Sequence, residues 1–159
     1  MPKLSSSLYY PAFALIMLFF VLAFVPRREL QRTFWFSLLW GTGLDTLLIL
    51  LAKLLNLYHY VHAEPFELFG SPFFINLSWA AAVMLFLHFL PNRKERYVMP
   101  LYLASYAWLG VYIGVFLMKA GLIIETHWSE VYRFPLVYGC FYICYKHYQH
   151  LKKKDWNSL

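Results

Sequence analysis

Residues 34–58 read FWFSLLWGTGLDTLLILLAKLLNLY, an almost unbroken apolar stretch interrupted by Asp45 and Lys53. Roughly 20 apolar residues at about 1.5 Å each cross a hydrocarbon core of about 30 Å. Inside that core every backbone group must bond within its own segment, so the stretch predicts a transmembrane helix. Asp45 falls about 12 positions in, ~18 Å deep and close to mid-bilayer. An aspartate there costs several kcal/mol unless it faces the bundle, finds a partner or is protonated. At about 100° per residue, Gly41, Asp45, Ala52, Asn56 and, if the helix continues, His59 fall within about 40° of one line. The spacing therefore predicts a small-and-polar stripe turned toward the protein.

Similar apolar runs flank this one on both sides. They predict helices near 8–25, 34–58, 73–91, 98–121 and 130–148, with Pro26, Pro72, Pro91 and Pro100 at or near their ends. At 61% hydrophobic and 14% charged residues, the chain has too little polar surface to coat a water-soluble domain of 159 residues. No repeat and no linker divides it. The expectation is a single all-α domain, an integral membrane bundle of five transmembrane helices.

The charges orient the bundle. Arg27, Arg28, Arg32, Arg93, Lys94, Arg96, Lys146, Lys152, Lys153 and Lys154 fall on one side, against Lys3, Lys53, Lys119 and Arg133 on the other. By the positive-inside rule the first side is cytoplasmic, which puts the N-terminus outside and the C-terminus inside. Basic residues clustered at helix ends, instead of along one face, also argue against nucleic acid as a partner of this +6 chain. Residues 8–25 lack the basic start and small-residue cleavage site of a signal peptide and read as a retained helix.

The same topology gathers polar residues at the outer face: Lys53, Asn56, His59, His62, Glu64, Glu67 and Asn76 from one loop and its helices, and Glu125, His127 and Glu130 from the next. His59-x-x-His62 is not the i, i+4 histidine spacing of a helical zinc site, so no metal and no cofactor is expected. A wet rim, with Lys53 neutralised by Glu64 or Glu67, is the simplest account. His88, beside a basic loop, reads as interfacial. Asp45 reads either as packing glue, bonded to Tyr102, Ser105, Trp108 or Tyr112 of the fourth helix, or as a proton- or ion-carrying carboxylate. Gly110 and Gly114 have the small-xxx-small spacing that lets helices approach, within the chain or between two copies. The run SWAAA, residues 78–82, does similar work.

Residues 34–58, followed by MKAGLIIETHWSEVYRFPLVYGCFYICYKHY at 118–148, resemble a group of small multi-spanning membrane proteins of spore-forming Firmicutes. The likeness lies in an Asp-bearing second helix and a Gly121-then-Trp128 loop before a last helix ending in a basic tail from Lys146. It implies a bacterial cytoplasmic membrane and supplies no catalytic residue.

Three functions follow as expectations. The first is a non-enzymatic interaction or assembly component of the bacterial envelope, partnered by the lipid bilayer and by another protein or a second copy. The second is a small enzyme acting on a lipid or isoprenoid at the outer leaflet. The third is an ion- or proton-coupled carrier or channel component that uses Asp45.

Overall fold

The structure is a computed structural model that describes residues 8–61, 67–68, 71–92 and 95–156. Of the described residues 78% are helical, in five helices. These are α1 (Tyr9–Phe24), α2 (Arg27–Leu54), α3 (Phe73–His88), α4 (Val98–Lys119) and α5 (Glu130–Trp156). Among the described residues four short strands lie between them: β1 (Tyr58–Tyr60), β2 (Glu67–Leu68), β3 (Ser71–Pro72) and β4 (Ile123–Glu125).

The five expected helices are present, but among the described residues only α2 and α4, at 28 and 22 residues, are long and apolar enough to cross a membrane. Of the five expected spans, these two meet the test of length and composition. With 16 residues each, α1 and α3 extend only about 24 Å, short of a hydrocarbon core. α5 has the length, at 27 residues, but carries Glu130, Arg133, Lys146 and the basic tail.

Helix limits also move for local reasons. α2 begins at Arg27 because Pro26, extended at φ −61° and ψ 145°, serves as its N-cap, and Glu29 in the first turn complements the helix dipole. It ends at Leu54 because Asn56 adopts φ 52°, the left-handed conformation. Asn56 N–H then bonds Lys53 O, and Leu57 N–H bonds Ala52 O at 2.9 Å, closing a Schellman motif. Gly121 at φ 71° ends α4 the same way, with Leu122 N–H on Leu117 O at 2.9 Å.

The chain forms two compact units, Met1–Leu90 with Leu117–Trp128, and Pro91–Phe116 with Ser129–Leu159. In the first, α3 packs against both α1 and α2. It is apolar all round and mostly buried, as a central helix should be. Val21, Val25 and Met84 form a small core at the α1–α2 corner, with Leu30, Ala81 and Leu85 against it. β1 pairs antiparallel with β4, so the segments following α2 and α4 meet as a ribbon.

Tyr10 holds that ribbon to α1. Its hydroxyl hydrogen is shared between Val61 O at 2.6 Å and Leu122 O at 3.0 Å, and its ring meets Tyr60 edge-on. Tyr58 extends the aromatic cluster to Trp128. In the second unit, Tyr106 packs on Phe141 and Trp108 on Phe134.

Candidate functional site

The polar residues that the fold draws together lie on the α2–α3 seam. The middle of α2, Leu38–Gly43, is a π-helix, whose i→i+5 bonds widen the turn. Glu29, Thr33, Ser37, Gly41, Asp45 and Ile49 recur every fourth residue. In a regular α-helix these five steps drift by about 200°, whereas the wider segment returns the later residues toward the original face. Consistent with this, Thr33, Ser37, Gly41 and Ile49 are all buried.

Gly41 marks the crossing point. A Cβ there would overlap the backbone of Trp79 and Ala80 on α3, so only glycine permits this approach. The expected packing role of the SWAAA run is thus met by Ala80.

Beside the crossing, Asn76 is a fully buried hub instead of part of a wet rim. Ser71 Oγ donates to Asn76 Oδ1 at 2.6 Å, and Asn76 Nδ2 donates to Thr46 Oγ1 at 3.0 Å. Thr46 Oγ1 donates to Thr42 O at 2.7 Å, and Thr42 Oγ1 donates back to Asn76 O at 2.9 Å. Every side-chain hydroxyl hydrogen in this network is used.

Asp45 stands on α2 between Thr42 and Thr46, yet its Oδ2 is enclosed with no hydrogen-bond partner among the described residues. Ser37 Oγ, two turns away, is likewise enclosed and unbonded among them. Ser105, an expected partner for Asp45, instead donates to Tyr102 O in its own helix. At the Arg27 end of the seam, His88 Nδ1 meets Glu29 Oε2 at 2.7 Å.

The outer-face cluster assembles only in part. The β1–β4 register sets His59 opposite Ile124 on the exposed face and Glu125 opposite Tyr58 on the other, so His59 and Glu125 do not converge. His127 Nδ1 lies 3.4 Å from Asn56 O. Asn56 itself is exposed and ends α2, so it does not join the buried polar side chains of the seam. Lys53 and Glu67 are exposed and are not paired with each other. His62 and Glu64 lie outside the described residues, as do Lys3, Arg93 and Lys94. Glu130 begins α5 in the second unit. Among the described residues, no three His, Cys, Asp or Glu side chains form a metal-holding group.

Three features escape the sequence reading: the Ser71–Asn76–Thr46–Thr42 network, the Glu29–His88 pair and the burial of Arg133. Thr42 and Thr46, one turn apart and flanking Asp45, are a readable signal for the first. The chain matches no family model, no curated protein and no solved structure.

Proposed function

We propose that this chain is a multi-pass protein of the bacterial cytoplasmic membrane that binds and releases a proton at Asp45, as a proton-carrying component. The observation that supports this reading is the enclosed, unbonded Asp45 Oδ2 beside a hydrogen-bond network that leaves it out. Packing glue would engage the carboxyl, whereas an acid that exchanges a proton needs a free oxygen to receive it. Intramembrane acids are costly to keep and tend to mark ion or proton pathways. A bare cation would need several converging charged ligands, and among the described residues no second carboxylate joins Asp45 in a metal-holding group.

Membrane residence is supported by α2 and α4 and by the large apolar side chains that α1 leaves uncovered, including Leu15, Phe19 and Leu22, each about two-thirds exposed. We place α1, α3 and α5 in the membrane with them, N-terminus outside, on the strength of the basic residues at alternate helix ends.

The test is proton flux in vesicles holding the purified chain and a pH-sensitive dye, driven by an imposed potential. Wild-type protein should acidify or alkalinise the lumen, and Asp45→Asn should abolish the flux while inserting normally. Flux that persists in Asp45→Asn, or wild-type vesicles as tight as empty ones, would overturn the reading.

A further inference from the structure

The last turns of α5 carry a one-sided basic stripe that the proton reading does not use. Tyr142, Lys146, His150 and Lys153 follow one another at i+4, i+4 and i+3, within about 80° of one line along the helix. All four are exposed, while Phe141 and Cys144 on other faces are buried. Lys152 is also exposed but projects about 120° away from Lys146.

The position of the stripe follows from helix length. About 20 residues from Glu130 cross a hydrocarbon core, which brings the far boundary close to His150. Within α5, side chains lean toward the helix N-terminus. Lys146 does so: its Nζ lies 5.6 Å from the centre of the Tyr142 ring, one turn back along the helix. The contact lays the stem against an aromatic face one turn short of that boundary, within a lysine stem's length of the headgroups. Lys153 lies two turns further on, above the same line.

We infer that the Lys146–His150–Lys153 stripe binds the phosphate of an anionic phospholipid headgroup. Charge complementarity supports this occupant: two lysines and a histidine around that boundary, with no acidic residue between Lys146 and Lys154 in the sequence. Juxtamembrane basic clusters draw anionic lipids, each lysine contributing about fivefold in affinity near the surface. The inference rests on α5 lying across the membrane, as proposed above, and not on Asp45.

The experiment is amide hydrogen exchange on the full chain in two vesicle types, phosphatidylcholine alone and phosphatidylcholine with phosphatidylglycerol. Residues 146–153 should exchange about fivefold more slowly, or slower still, in the second type, and ~0.5 M salt should remove most of the difference. The pair Lys146→Gln and Lys153→Gln should abolish the protection, while Lys152→Gln should leave it nearly intact. Equal exchange in both vesicles would overturn the site. Equal loss in Lys152→Gln would overturn it too, by showing a diffuse charge effect. An acidic soluble peptide that protects the segment in phosphatidylcholine vesicles as well as the lipid does would assign the stripe to a protein instead. Failure of the membrane reading is seen separately, as a chain that does not float with either vesicle.

Discussion

Arg133 of α5 occupies the space that a side chain at position 114 of α4 would need: its guanidinium Nε lies 2.9 Å from where a Cβ on Gly114 would stand. The glycine spacing at 110 and 114 suggests a surface for close helix approach, within the chain or between copies. At Gly114 the room is filled from within the same unit by a buried arginine. A second copy has no access to that notch. We expect Gly114→Ala to lower the midpoint of thermal unfolding in detergent, at a cost of about 1–3 kcal/mol for overpacking. In an Arg133→Lys background the same change should cost less, because a narrower ammonium can move aside. Additive losses in this double-mutant cycle would show that the two positions are uncoupled.

Two glycines of the π segment make a matched comparison. Gly41→Ala should cost several kcal/mol or prevent folding, because the clash is with the backbone of α3, which cannot swing away. At Gly43 the nearest atoms lie 3.8 Å from where an added methyl would stand, so Gly43→Ala should be neutral or stabilising by up to about 1 kcal/mol. Thermal unfolding of the two variants side by side checks this, and equal behaviour would contradict the crossing described for α2 and α3.

Asp45 also has a stability signature independent of flux. Enclosing a polar oxygen without a partner costs about 1–3 kcal/mol, so Asp45→Leu should raise the unfolding midpoint. A drop in stability would instead mean that the carboxyl is bonded in the working protein and holds helices together.

Asn56 supplies a backbone test. At φ 52° a β-branched residue is strained by about 1–2 kcal/mol, whereas glycine is at ease. Asn56→Val should therefore destabilise the end of α2, and Asn56→Gly should not. Faster amide exchange at Leu57, whose N–H closes the Schellman motif, would report the loss directly.

What can be read in advance divides by physical cause. Hydropathy locates all five helices, because long apolar runs have few other solutions, and the 3.6-residue repeat puts Gly41 and Ala52 on the buried face of α2 with Asp45 beside them. Topology also brings the segments after α2 and α4 to one side, where β1 and β4 pair. Apolarity is blind to backbone conformation, so it shows neither the π segment nor the left-handed Asn56, and it mistakes Asn56 for a buried polar group. Apolarity equally understates helix length where charged residues are helical, which is why α2 starts at Arg27 and α5 reaches Trp156. Pairings between distant positions, such as Glu29 with His88 across 59 residues, have no local trace at all.

The shared hydrogen of Tyr10 bears on the order of assembly. Its second acceptor, Leu122 O, lies 112 positions later in the chain. α1 therefore cannot take up its final anchorage until α4 has been made and the chain has turned at Gly121. Contacts of such wide sequence separation form late, since loop-closure entropy must be met before they contribute. During biogenesis α1 must wait, its polar end unanchored, for a partner that three later helices separate from it.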